Sequence, residues 1–191
     1  MKKRIIIALV LLLAGCDLVT TRPPEPPGKS SSNNITATSE SALFDNLIAS
    51  FKEGIVENYI ACFADTTFTN NEFVFIPSSD AKSLPAFDSW DIESERLFFR
   101  NLKTAVKPET SITLELLNEN VNHFGGDSSL YQYDYSLRLS PNDASLSSEY
   151  KGSAQFKTYK GWNQQFVIGE WRDIKVEGYP SLSELKGRLS N

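Results

Sequence analysis

The chain has 191 residues, 40% of them hydrophobic, and 19 Lys and Arg stand against 24 Asp and Glu for a formal net charge of −5. An acidic balance without clustered Lys and Arg argues against a nucleic-acid partner, because phosphate binding needs concentrated positive charge. Two cysteines, Cys16 and Cys62, are too few for a disulfide framework, so the fold must be held by its core.

The chain opens with Lys2, Lys3 and Arg4, an apolar run from Ile5 to Leu13, and the small residues Ala14 and Gly15 before Cys16. Charged, apolar and small residues in that order read as an export signal. The run falls short of the roughly 20 residues a membrane span needs. Leu13-Ala14-Gly15-Cys16 resembles the lipobox of bacterial lipoproteins. The resemblance implies a signal over residues 1–15, cleavage between Gly15 and Cys16, and a palmitate-type lipid anchor on the Cys16 thiol. It places the remainder in the bacterial cell envelope, facing the periplasm or the exterior. Without Lys2, Lys3 and Arg4 the balance becomes 16 basic to 24 acidic, or −8. Acyl chains rather than charge are then the expected membrane attachment.

Residues 16–40 carry Pro23-Pro24-Glu25-Pro26-Pro27 and then Ser30 to Asn34, with little to bury. They read as a lipidated Cys followed by a flexible tether, stiffer at the prolines. Residues 41–191 have the size of one domain.

In that domain Ser39 or Ser41 can cap a helix whose Leu43, Phe44, Leu47, Ile48 and Phe51 fall at helical spacing. After Gly54, the residues Ile55, Tyr59, Cys62 and Phe63 continue an apolar face on a second short helix. Glu72 to Ile76 reads as a strand that Pro77 ends. Asp88 or Ser89 can cap a third helix, with Asp91, Glu93 and Glu95 early, Arg100, Lys103 and Lys107 late, and Leu97, Phe98, Leu102 and Val106 on its buried side. After Pro108 everything reads as four antiparallel strands joined by short turns, around Ile112 to Leu116, Tyr131 to Leu139, Tyr150 to Phe156 and Gln165 to Trp171. Helices followed by a curved antiparallel sheet with one apolar face give an α+β plan, the helices packed in the concave face of the sheet.

Leu43-Phe44-Asp45-Asn46-Leu47 leading into Tyr59 to Asp65, Phe73 with Phe75, and Trp162 through Asp173 resemble the nuclear-transport-factor-2-like, or SnoaL-like, superfamily of cystatin-like cones. Ser183-Glu184-Leu185-Lys186-Gly187 after Trp171-Arg172-Asp173 looks like the tail of cone-fold lipoproteins. The resemblance implies a cavity inside the cone, used by some members for isomerase or cyclase chemistry through carboxylates or His–Asp pairs.

Candidate residues follow. Glu170 and Arg172 share strand parity with Phe166 and Ile168, so they could enter the cavity as a pair or hold a polar ligand, although a structural ion pair near the sheet end is the more usual arrangement, since buried charges are generally paired. Tyr131, Tyr133, Tyr135 and Trp171 are further cavity candidates, the tyrosine stripe reading more readily as core. The only His, His123, sits near a turn beside Phe124-Gly125-Gly126, where a base would be solvated; it and Glu170 are weak catalytic candidates. The acidic set Asp88, Asp91, Glu93 and Glu95 falls at a helix start where the dipole already favours it. No zinc spacing or phosphate loop is present, so neither a metal nor a cofactor is expected. The functional expectation is a non-catalytic envelope domain that binds a small apolar ligand or an envelope protein. The alternatives are a SnoaL-like isomerase or cyclase acting on a small apolar substrate, and a structural homodimer joined through the sheet face.

Overall fold

A computed structural model describes residues 34–124 and 128–190. The expected signal, Gly15, Cys16, the tether up to residue 33 and the Gly125-Gly126-Asp127 turn lie outside them. No helix among the described residues is long and apolar enough to cross a membrane.

Helix α1 spans Glu40–Glu53: the Ser39 hydroxyl accepts the Ala42 N–H at its start, and Gly54, at φ 63°, closes it in the left-handed conformation that glycine enters freely. Leu43, Phe44, Leu47 and Phe51 are buried, as the spacing required. The folded part takes in residues ahead of Ser41. Asn46 closes a two-bond ring with the backbone of Ile35, its Oδ1 accepting at 2.9 Å and its Nδ2 donating at 2.6 Å. Ala37 is buried and its carbonyl accepts the Phe166 N–H at 2.8 Å. The expected end of the tether at residue 40 is therefore several residues too late. Helix α2 (Val56–Ile60) follows at once and buries Tyr59, with Cys62 and Phe63 just beyond it.

Strand β1 is Val74–Ile76. A 3-10 turn over Pro85–Phe87 ends at Asp88, and helix α3, Ile92–Ala105, is capped by Asp91, whose Oδ1 accepts the Ser94 N–H at 2.8 Å. Asp88 and Ser89 miss the cap because the preceding turn is still closing there. The buried face of α3 is Glu95, Phe98, Phe99 and Leu102, while Leu97 is 39% exposed. That rotation carries Glu95, expected among the solvated charges of the first turn, into the core.

Strands β2 (Thr113–Phe124), β3 (Ser128–Arg138), β4 (Glu149–Lys160) and β5 (Phe166–Lys175) form the expected antiparallel meander. β1 adds to its edge in parallel with β5, giving the order β1-β5-β4-β3-β2. A fourth helix, α4, Leu182–Leu189, follows the sheet where the sequence analysis places no helix.

β5 is bulged. Lys157 faces Glu170 while the next residue, Thr158, faces Ile168, so Gly169 is an extra residue on β5. A Cβ on Gly169 would lie 2.2 Å from the Tyr159 ring, so only glycine fits without displacing it. The bulge resets the alternation: Ile168, Trp171 and Asp173 are buried, and Arg172 is exposed. The shared parity of Glu170 and Arg172 with Ile168 fails for this reason.

Candidate functional site

The concave face of the sheet is packed with side chains of its own chain. Phe44 meets Tyr131 and Tyr133 edge-on, with ring centres 4.9 and 5.0 Å apart, and Trp171, Tyr59, Phe98, Phe99, Phe156 and Leu137 are all under 2% exposed. Edge-on pairs of this kind add about 0.5–1.5 kcal/mol to the burial itself.

Inside this apolar packing sits a charged network. Lys186 of α4 donates to the Glu95 carboxylate of α3, and neither side chain has any solvent exposure. Tyr59 also donates to Glu95, and Trp90 Nε1 donates to its second oxygen at 2.6 Å. The Lys186 ammonium lies 3.7 Å from the centre of the Phe75 ring and 4.3 Å from that of Trp171, a cation–π arrangement. Burial pulls Lys186 below the ordinary lysine range, with Glu95 opposing, while burial and Glu95 together push the Tyr59 hydroxyl well up.

A second cluster adjoins it. Asp173 accepts the Tyr135 hydroxyl at 2.8 Å and the Ser183 N–H at 2.7 Å, and Tyr135 in turn accepts the Leu182 N–H at 2.8 Å. Burial raises Asp173 above the usual carboxylate value against these hydrogen bonds. Among the described residues, Trp171 Nε1 is the one buried side-chain nitrogen or oxygen without a partner. The network is thus satisfied by the protein itself, and α4 closes it.

The open space lies elsewhere. A cleft of about 700 Å³ runs between α2, the N-terminus of α3 and the start of β5. Ile60, Phe63, Phe68, Phe73 and Val167 give it an apolar floor; Glu57, Asp65, Glu72, Asp91 and Glu93 stand around it with one cation, Arg96. Arg96 is already engaged, its Nη1 donating to both oxygens of Glu57 at 2.8 Å and its Nε to Glu93 at 3.4 Å. Asp65 and Asp91 are held below the usual carboxylate range by the backbone N–H groups of Thr67 and Ser94, so both are charged at neutral pH. A smaller cleft of about 280 Å³ shares Phe68 and adds Trp162; these aromatics are 43% and 58% exposed.

No protein-family model and no curated protein matches the sequence. Solved structures do resemble it. An NTF-2 like protein of unknown function from Shewanella oneidensis superposes with a TM-score of 0.51 at 9% identity, over 71% of this chain and 96% of that one. A protein described as a dehydratase of the NTF2-like family from Streptomyces avermitilis gives 0.56 at 8%, over 73% and 95%. The beta subunit of benzoate 1,2-dioxygenase from Burkholderia mallei gives 0.54 at 15%, over 71% and 87%. The fold is the nuclear-transport-factor-2-like cone. One cone can carry unrelated functions, so the likeness settles architecture only.

Within this cone the expected site residues scatter. Tyr131, Tyr133 and Tyr135 are core, 8%, 6% and 3% exposed, with the Tyr133 hydroxyl spent on Glu119 at 2.6 Å. Trp171 is core as well. Glu170 and Arg172 form a loose pair at 3.5 Å on the outer face of the sheet, and such pairs contribute little. His123 is exposed; its Nδ1 sits 2.9 Å from the Ser129 hydroxyl, which itself donates to Glu40. Neither His123 nor Glu170 lines either cleft. The residues that do meet inside the cone, Glu95, Lys186, Asp173 and Tyr59, were not candidates together. One signal for α4 was present: Ser181 followed by Glu184 is a capping pattern, and the Ser181 hydroxyl accepts the Glu184 N–H.

Proposed function

We propose that this chain is a membrane-tethered, non-catalytic cone domain of the bacterial envelope that works by binding another protein. The lipobox at Leu13 to Cys16 supports the tether. The carrying observation for the domain is the filled interior: Lys186 and Glu95 are fully buried, with the Lys186 ammonium packed against Phe75, Phe98, Trp90 and Trp171. The packed concave face and the two open outer clefts support binding at the outer clefts over a small apolar ligand inside the cone. The sheet-face homodimer gains no support, because β2, β3 and β4 carry exposed charged pairs such as Arg138 with Glu115 and Glu149. Palmitate labelling of cells making the full chain tests the tether: wild type should carry label in the membrane fraction and Cys16→Ala should be unlabelled and soluble. Organic extraction of the purified lipidated protein tests the interior, and a tightly retained small molecule would sink the non-catalytic reading.

One observation favours a second reading, an isomerase- or cyclase-like enzyme. Two carboxylates, each hydrogen-bonded to a tyrosine, lie inside the cone as Glu95 with Tyr59 and Asp173 with Tyr135. That reading requires α4 to withdraw so that substrate can reach them.

A further inference from the structure

The outer cleft has a chemistry that defines its partner. Its apolar floor includes the exposed Phe68 and continues through it into the smaller cleft beside the exposed Trp162, and scattered surface apolar residues are unremarkable whereas a contiguous groove is not. Five carboxylates surround this floor against one guanidinium, and two of the five already bind that guanidinium. Glu57 and Glu93 keep 75% and 71% of their side chains in solvent, so the charge lies at the mouth rather than in the floor. A groove of this size would hold a small organic ligand only if it enclosed most of that ligand's surface, and a mouth this exposed does not. An apolar centre with a charged rim is instead the anatomy of a protein-docking surface.

We infer that the cleft between α2, α3 and β5 docks a cationic segment of another envelope protein, one with Lys or Arg spaced around an aliphatic or aromatic anchor. The anchor lies on Phe63, Phe68 and Phe73, and the flanking cations meet Glu72, Asp65 and Glu93. This deepens the protein-binding reading above and rests on it.

The assay uses the full lipidated chain in neutral detergent and a fluorescein-labelled peptide of alternating Lys and Leu, followed by anisotropy. Binding should weaken steeply with salt, as expected of rim charges, and be absent for the matching Glu and Leu peptide. Glu72→Gln with Glu93→Gln should lower affinity about tenfold, and Phe68→Ala should lower it at high salt as well as low. A charge-matched pair away from the cleft, Glu109→Gln with Glu177→Gln, should leave it within about twofold, which separates local rim charge from overall net charge. Equal binding of the acidic peptide, or full affinity in the Glu72 and Glu93 variant, overturns the assignment. So does absence of binding by a palmitate-labelled, folded protein, an outcome that leaves the tether reading standing because labelling is read independently.

Discussion

Lys186 and Glu95 are 91 positions apart in the chain and form a fully buried ion pair that ties the last helix to the third. Isolated from its partner, either charge would be stranded among Phe75, Phe98, Trp90 and Trp171. Lys186→Met leaves Glu95 with only the Tyr59 and Trp90 donors and should cost about 3–5 kcal/mol. Adding Glu95→Gln removes the stranded charge, its one amide oxygen accepting the Trp90 N–H while its amide nitrogen donates to the Tyr59 hydroxyl, so the double variant should be more stable than Lys186→Met alone. Denaturant unfolding of the two variants checks the order, and a double variant that is the weaker of the two would show that the pair is not the source of the loss.

Asp173 gives a prediction in pH. Its folded value is raised above the reference 3.8, chiefly by burial. The native state therefore holds the proton more tightly than the unfolded chain, and this residue's contribution to stability is present at low pH and lost as pH rises through the raised value. Asp173→Asn can keep the hydrogen bonds from Ser183 and has no proton to lose. The stability difference between Asp173→Asn and wild type should accordingly shift in favour of the variant as pH climbs above 3.8. Urea midpoints across that range, compared pairwise, measure it; a constant difference would contradict the assignment.

Local pattern told most of the architecture and little of the site. The alternation of Tyr131, Tyr133 and Tyr135 placed β3 with its buried face correct, and Ser39 and Gly54 marked both ends of the first helix. Glu170 and Arg172 misled because one extra residue, Gly169, reverses the alternation, and a bulge leaves only a glycine as its trace. Lys186 escaped notice for another reason. Between Leu185 and Gly187 it reads as a solvated charge, and only the distant Glu95, brought in by the rotation of α3, makes its burial affordable. Pairing across the fold is a tertiary fact that periodicity does not carry.

Gly152 stands where β4 passes under Tyr135. A Cβ there would come 2.5 Å from the Tyr135 hydroxyl and 2.7 Å from the Ile174 carbonyl oxygen. The hydroxyl cannot retreat without giving up Asp173 and the Leu182 N–H. Gly152→Ala should therefore destabilise by about 1–3 kcal/mol through overpacking. Thermal melts of Gly152→Ala with and without Tyr135→Phe separate the causes: removing the hydroxyl should recover part of the clash, and no recovery would place the strain on the Tyr135 ring carbon Cε1, also 2.7 Å away, and the Ile174 backbone instead.

Cys62 is buried behind α2, and burial pushes its thiol up to about 12. The thiolate is the reactive form, so the native protein should resist iodoacetamide at Cys62 near pH 8 and be alkylated once unfolded. Peptide mapping after a timed pulse reads this directly, and rapid native labelling at Cys62 would mean the helix pair opens far more readily than its packing implies.

The segment just before α1 belongs to the folded unit, and this sets where the domain can be cut. A chain beginning at Ser41 loses the Ser39 cap, the burial of Ala37 and the Ile35 partner of Asn46. The cap is worth about 1 kcal/mol, and the Asn46 amide, only 6% exposed, would be left with unmet hydrogen-bonding groups at about 1–3 kcal/mol. Starting at Ser41 should thus lower stability by roughly 2–4 kcal/mol relative to starting at Asn34. Asn46→Ala in the longer chain isolates the second contribution, because it removes the stranded amide together with its partner contacts. If the two starts unfold at the same denaturant concentration, residues 34–40 contribute nothing to the fold and the tether ends at residue 40 after all.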